Sequence, residues 1–476
     1  MSLAGAEAAS KLVTFSAFAY LARVAGPEGL GYVEFAGAAL LCASLVVDQG
    51  FGPYGAREIA KAPQRTVTLA AEIIAARLVL AIAAYAALLA FALLLDRPPI
   101  VTRLLLLYGL SLFAMPWLLQ WVFQGHDRMQ TVATAQVIRQ TVFSVAVFGF
   151  VHDPSQIWLV ALAEIAGVCS AAAYTLAMYR RHFGGDIHIR LGWSPHLLRE
   201  GVPIGLSQMF WVARMSGATL LVGVIASAHD TGFFAGASRI LLAAHTFVWL
   251  YYFNLLPAWA RAWNGGGPSF AVAVARSLRG VAWTGVAVGV VWVTVAPAVM
   301  TAVYGPAFAA GAPTLQWLAG VCVVAGISGH YRFGLIAAGR QTAEMLSQVF
   351  GALVAAVAVP TGYAVAGVSG AAMGLLAAEV AVWCSAWWCA RRMLGLHGHA
   401  HLLLRPLLAA ALAAGCLWLL PQSAVGGRLF AALSLSAGTA VTLDEVVRHR
   451  LGHGAAALRR HVLDSLGARV PVTRRR

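Results

Sequence analysis

Charge is scarce in this chain: Asp, Glu, Lys and Arg make up 11% of its 476 residues, against 60% hydrophobic residues and a mean hydropathy of +0.77. Soluble domains carry about 25% charged residues, so a water-soluble globule is excluded. Long polar stretches are missing too, which leaves no room for a soluble catalytic domain at either end or in the middle. The six cysteines (Cys42, Cys169, Cys322, Cys384, Cys389, Cys416) all lie inside apolar runs and none in the connections. They read as small apolar residues, not as a disulfide framework. A serine-hydrolase elbow, a zinc motif and a phosphate loop are also absent, and Gly367, Gly370 and Gly374 have no Lys after them at Walker spacing. His397, His399 and His401 alternate with small residues but lack further ligands nearby, so they read as a solvated loop. No catalytic residue, metal or cofactor is expected.

What is present is a succession of apolar runs of helix length. Since about 20 residues cross about 30 Å of hydrocarbon, the sequence predicts an all-α, polytopic membrane protein of 14 spans. They run at 10–27, 30–50, 69–95, 101–124, 129–151, 156–180, 202–226, 231–258, 277–301, 313–335, 342–360, 366–390, 402–420 and 427–444. The N-terminal run has only Lys11 before it and no clear cleavage site, so it reads as an uncleaved first helix.

The net charge of +15 belongs to loops between spans and not to a basic face of a soluble fold, so no nucleic acid is expected as a partner. Of the 33 Lys and Arg, 25 fall on one side of this topology, three (Arg97, Arg103, Arg428) on the other, and five within spans. Positive charge is retained on the cytoplasmic side, which predicts that both termini are cytoplasmic.

A weak repeat divides the spans. Arg128 is followed by Gln136-Val137 and Arg340 by Gln348-Val349, at an offset of 212; Gly31-Tyr32 with Leu40-Leu41 is echoed by Gly232-Phe233 with Leu241-Leu242, at an offset of 201. Both relate helix n to helix n+6, as two parallel six-helix lobes would. The expected division is an N-terminal lobe (1–180), a basic cytoplasmic linker (181–200), a C-terminal lobe (201–392), two additional helices (393–447) and a basic tail (448–476).

Five arginines lie within spans: Arg23, Arg77, Arg139, Arg214 and Arg239. Each costs about 2.5 to 3.5 kcal/mol at mid-membrane, so each needs a wet cavity or a partner. At 1.5 Å per residue, Arg23 and Arg214 lie about 18 Å along their spans and Arg239 about 12 Å from the outer end of its own. Glu34, Glu72, Glu164 and Glu379 are the carboxylates within spans available as partners. Arg139, Glu164 and Glu379 read either as structural pairs or as cavity and ion-coupling groups. Arg77 stands five residues after Glu72, a poor same-face spacing, and is expected to pair elsewhere.

The stretch Leu21-Ala22-Arg23-Val24-Ala25-Gly26-Pro27-Glu28-Gly29-Leu30-Gly31-Tyr32, continued by Asp48-Gln49-Gly50-Phe51-Gly52 and Arg57-Glu58-Ile59-Ala60, resembles the opening of polysaccharide-transport flippases. These belong to the multidrug/oligosaccharidyl-lipid/polysaccharide exporter superfamily. Phe123-Gln124-Gly125 with Arg128-Met129 resembles the family's turn after helix four, and Gly232-Phe233-Phe234 with Ala237-Ser238-Arg239-Ile240 its start of helix eight. Tyr304-Gly305-Pro306-Ala307-Phe308 with Ala312-Pro313-Thr314-Leu315 resembles its start of helix ten. The resemblance spans residues 10–390 and departs at Arg214, where a polar or acidic residue is expected.

The resemblance implies that helices one, seven and eight face a central cavity, which makes Arg23, Arg214 and Arg239 the candidate substrate ligands. A guanidinium matches a diphosphate bidentately and stays charged. It further implies a flippase of the bacterial inner membrane, moving a polyprenyl-diphosphate-linked oligosaccharide by alternating access and working beside polysaccharide polymerase machinery. No bond is made or broken, so no enzyme is expected. The alternatives are a drug or metabolite exporter of the same superfamily, and a membrane glycosyltransferase, polymerase or ligase using the same lipid carrier. Against the latter, the external loops are short and hold few acids (Glu28, Asp96, Asp153, Asp230).

Overall fold

The structure is a computed structural model that describes residues 3–95, 97–184, 209–265, 267–396, 400–419 and 432–437, with single positions at 187, 197, 205 and 439. Most of the basic linker (181–200), His397, His399, Arg428 and the tail (448–476) lie outside the described residues.

The described chain is all-helical, with no strand, and its helices are α1 (Leu3–Asp48), α2 (Phe51–Lys61), α3 (Thr66–Leu94), α4 (Pro99–Leu110), α5 (Gln120–Gly125), α6 (Met129–Phe150) and α7 (Leu159–Phe183). After them come α8 (Gly217–Ile225), α9 (Ala228–Asn264), α10 (Gly267–Tyr304), α11 (Ala312–Ala337), α12 (Gln341–Leu394) and α13 (Ala400–Leu419). Among the described residues, nine helical stretches are long and apolar enough to cross a membrane, two of them with more than 50 residues. Large apolar side chains such as Leu94, Phe247 and Val365 stand exposed on the outside of the bundle, as a hydrocarbon solvent requires. The chain is a multi-pass membrane protein.

The two longest stretches are pairs of spans joined without a loop. In α1 the helical geometry fails at Gly26 alone, with φ 66° and ψ −175°, and resumes at Pro27. Only a residue without Cβ takes that conformation freely, and Pro27 is preset to start the next helix. In α12 the break is at Ala366 and Gly367. There the two arms fold back on each other: a Cβ on Gly362 would strike the Gly370 carbonyl, and one on Gly374 the Ala358 carbonyl. The glycines of this stretch therefore serve close helix contact.

Two features depart from the sequence expectation. Residues 51–61, read as connection, form α2, which buries Phe51, Tyr54 and Ile59 and leaves Arg57 and Lys61 outward. The span expected at 101–124 is broken: α4 stops at Leu110, two 3-10 turns follow, and α5 begins at Gln120. Pro116 lacks the N–H that a continuous helix would use. Thr175 repairs the break by accepting from Leu119 N (3.3 Å) and donating to Trp117 O (3.2 Å).

The helix ends gather at two poles. At the Lys11 pole, Gly125 packs on Ala56 and Ile59, Thr66 bonds to His126 (2.9 Å), and Arg128 lies over Phe183. At the Pro27 pole, Gly29 meets Ile157, Arg103 stacks on Trp158, and Tyr363 donates to Asp230 (2.7 Å). Also at this pole, Asp153 accepts the Ser155 N–H (2.8 Å), and the hydrogen bonds from Ser155 hold its carboxyl below the usual range.

Candidate functional site

The polar interior of the bundle is a cavity bounded on one side by α1, α5, α6 and α7, and on the other by residues 211–219 and α9. Its wider part, about 670 Å³, opens beside Lys11 and Gln124 and is lined by Thr14, Gln120, Gln136, Gln140, Trp211 and Thr246. Its deeper part, about 350 Å³, reaches Glu34, Tyr108, Arg139, Glu164 and Ser216. Thr14, Gln140, Arg239 and Leu242 belong to both parts, so the two are continuous.

Arg239 therefore stands at the waist of the cavity. Its Nε donates to Glu34 Oε1, and its guanidinium carbon lies 3.1 Å above the centre of the Phe18 ring. Phe18 in turn stacks on Phe143 (5.6 Å). The side chain keeps 26% of its surface exposed, and its terminal nitrogens have no other hydrogen bond among the described residues. Deeper in, Arg139 Nη2 donates to Glu164 Oε1 at 2.6 Å, with 26% and 17% of the two side chains exposed. Both pairs face the cavity, and each carboxylate there is matched by an arginine.

Arg214 and Glu379 are placed otherwise. They pair with each other, and neither side chain has any exposed surface. Glu379 also accepts from Ser328 (3.2 Å), and Arg214 donates to Gln348 (3.3 Å). Gln348 passes the network to Glu344 (2.8 Å), which holds Arg332 (3.0 Å). This network ties the helix before α8 to α11 and α12, away from the cavity. The structure thus brings Arg239, Arg139 and Glu164 to one cavity, and places Arg214 and Glu379 together outside it. Arg77, as expected, turns from Glu72 and pairs with Asp48 at the end of the first long helix.

Arg23 lies at the Pro27 pole, where it donates to the carbonyls of Ala302 and of Val303 (2.9 Å). These are orphan carbonyls of the last turn of α10, which need donors from outside the helix. Arg97 does the same for α8, donating to Val224 O (2.6 Å) and Ala226 O (3.0 Å). Beside them Gly31 and Gly232 let the backbones meet: a Cβ on Gly31 would strike the Ala228 carbonyl, and one on Gly232 the Pro27 carbonyl. The cavity is thereby closed at the Pro27 pole. At the Lys11 pole, Gly205 packs on Gln49 and Gly50.

A second, apolar groove of about 990 Å³ runs between α10, α11 and α13, past Gly285, Gly289, Gln316, Leu403 and Leu407. Among the described residues no three metal-ligating side chains converge. Sequence reasoning missed Arg97 as a helix cap and the four glutamines of the cavity. For the glutamines a signal existed, since Gln120 and Gln124, and Gln136 and Gln140, are spaced four apart and so share a helix face.

The family model described as polysaccharide biosynthesis protein matches residues 1–263. A curated Escherichia coli (strain K12) protein named as an O-antigen transporter is 23% identical over 245 residues, which is 50% of this chain. The match spans 58% of that relative's length. Among solved structures, the lipid II flippase MurJ in an inward closed conformation superposes with a TM-score of 0.71 at 11% identity, over 93% of this chain and 98% of MurJ. An inward-facing multidrug resistance MATE family transporter of the MOP superfamily superposes with a TM-score of 0.64 at 16% identity, over 81% of this chain and 95% of its own. At such identities the likeness to the solved structures is one of fold.

Proposed function

The chain belongs to the polysaccharide biosynthesis protein family, and from that premise we propose that it is a flippase for a polyprenyl-diphosphate-linked oligosaccharide, working by alternating access in a bacterial inner membrane. The observation that carries this reading is Arg239, half-committed to Glu34 at the waist of a polar cavity. A sugar diphosphate needs a polar path through hydrocarbon, and a guanidinium with free terminal N–H groups offers its phosphates a bidentate partner. The apolar groove beside α13 suits the polyprenyl tail, which has no reason to leave an apolar phase. The Lys11 pole is then cytoplasmic, with both termini on that side, and the 14 spans divide into two six-helix lobes and two further helices. Polysaccharide polymerase machinery would take up the product.

Of the intramembrane charges singled out by the sequence, Arg239 is the substrate ligand in this reading, with Arg139 and Glu164 as cavity wall. Arg23 serves closure at the Pro27 pole, and Arg214 and Glu379 hold the C-terminal half together. Replacing Arg239 by Ala should abolish surface polysaccharide in a strain that depends on this protein, with insertion unchanged. Lys should restore part of it, since it keeps the charge and loses the planar fork. Normal polysaccharide from the Ala variant would refute the assignment.

One observation favours a second reading, a drug or metabolite exporter: Glu34 and Glu164 line the same cavity and are the groups a cationic cargo would use. Against it, each is already neutralised by an arginine.

A further inference from the structure

Resting on the flippase reading, the geometry points to a dedicated sugar subsite in the wider part of the cavity, built from Gln120, Gln124, Gln136 and Gln140 with Trp211 opposite, that takes the sugar units of the cargo.

Gln120 and Gln124 stand on successive turns of α5, and Gln136 and Gln140 on successive turns of α6, so four carboxamides line one wall in two rows. Gln120 and Gln124 stand on a helix of their own because the break at Pro116 separates α5 from α4. Gln140 shares one hydrogen bond with Thr14 Oγ1 at 2.6 Å, which leaves the rest of its carboxamide unused. Gln120, Gln124 and Gln136 make no side-chain hydrogen bond with the described residues.

Polar groups within a helical bundle in hydrocarbon are normally paired, because leaving one unpaired costs several kcal/mol. Gln120, Gln136 and part of Gln140, half-buried and turned into one cavity, are therefore groups waiting for water or for a polar ligand, and Gln124 extends their row to the exposed mouth. A carboxamide offers two donors and one acceptor, the complement of a sugar hydroxyl or acetamido group, which also gives and receives. The facing wall supplies the other half of sugar recognition. Trp211, half-buried at the cavity edge, presents an apolar ring to the C–H face of a pyranose.

The charge pattern narrows the ligand. No carboxylate lines this part of the cavity; its charged side chains are Lys11, at the mouth, and Arg239, which is shared with the deeper part, where Glu34 holds it. The neutral amides read hydroxyl pattern, while charge in this part comes only from the cations Lys11 and Arg239. Recognition is thus divided: Arg239 takes the diphosphate common to every such lipid, and the glutamines distinguish a lipid that carries sugars from one that does not.

The test uses the purified full-length protein in lipid nanodiscs and two probes, farnesyl diphosphate and the same lipid carrying a chitobiosyl (N-acetylglucosamine disaccharide) headgroup. The wild type should bind the sugar-bearing probe at least tenfold more tightly than farnesyl diphosphate. Gln136→Leu combined with Gln124→Leu should erase that ratio while leaving farnesyl diphosphate affinity as it was, and Arg239→Ala should weaken both probes together. The unliganded Gln variants should melt no lower than the wild type, because they lose an unpaired polar group and no internal bond. Equal wild-type affinity for the two probes, or a ratio unaffected by the Gln variants, overturns the subsite and leaves the flippase reading standing. Binding of neither probe by the wild type overturns both.

Discussion

Three of the ion pairs inside the bundle, Arg214–Glu379, Arg139–Glu164 and Arg239–Glu34, differ in what they expose, and that difference predicts different mutants. Arg214 and Glu379 are sealed, so removing one partner strands a charge without water. Breaking a buried pair costs about 3 to 5 kcal/mol, whereas replacing both members by apolar residues of similar volume is close to neutral. Arg214→Ala or Glu379→Ala should therefore melt well below the wild type in detergent, and Arg214→Met with Glu379→Leu should recover most of the loss. A double variant as unstable as the singles would argue against a structural role. Arg139 and Glu164 touch solvent, and Arg139→Ala should cost less stability than Arg214→Ala in the same assay. All six charged residues of these pairs were legible in the sequence as intramembrane charges in want of a partner. Their partners were not, since 25, 165 and 205 positions separate the members of the pairs. Depth along a span was legible as well, and it put Arg214 level with a cavity. Depth does not fix rotation about the helix axis, where each residue turns about 100° from the last, and rotation is what decides between cavity and core.

At the scale of elements, closure of the Pro27 pole rests on side chains of one half donating to the last carbonyls of helices in the other: Arg23 to α10 and Arg97 to α8. Arg97→Ala removes two such bonds and should loosen this pole. In a background with the six native cysteines replaced, a cysteine at Val33, which is buried just inside the closure, should then react several-fold faster with a membrane-impermeant thiol reagent added from outside. An unchanged rate would show that the backbone contacts at Gly31 and Gly232 suffice. The turn at Gly26 gives a second check: Ala there must take a positive φ with an extended ψ, a region essentially reserved for glycine, at a cost of about 1 to 3 kcal/mol, read as a lower melting temperature. Most long helices were visible as apolar runs, and Gly26-Pro27 marks its own break. α2 was overlooked because 11 residues cannot span a membrane, although its burial of Phe51, Tyr54 and Ile59 follows a helical period. The interruption before α5 was hidden inside an apolar run long enough for a span, with Pro116 as its one local sign.

At the scale of the whole molecule, the described residues form an all-helical, multi-pass membrane fold around a polar cavity that opens beside Lys11 and is closed at the Pro27 pole. The excess of Lys and Arg on one side predicts topology directly: reporter fusions after Arg199 and after Arg450 should read cytoplasmic, and one in the loop at Tyr304 external. An external signal at Arg450 alone would remove one terminal span and leave the cavity where it is. The central claim is that this cavity carries a lipid-linked sugar diphosphate across the bilayer and that Arg239 holds its phosphates. It is tested most directly by reconstituting the protein in liposomes and following a fluorescent farnesyl-diphosphate-linked oligosaccharide from one leaflet to the other. Transfer should run well above that of protein-free liposomes, be lost with Arg239→Ala and be partly kept with Arg239→Lys. Transfer at the protein-free rate, or transfer undiminished in the Ala variant, would contradict the claim.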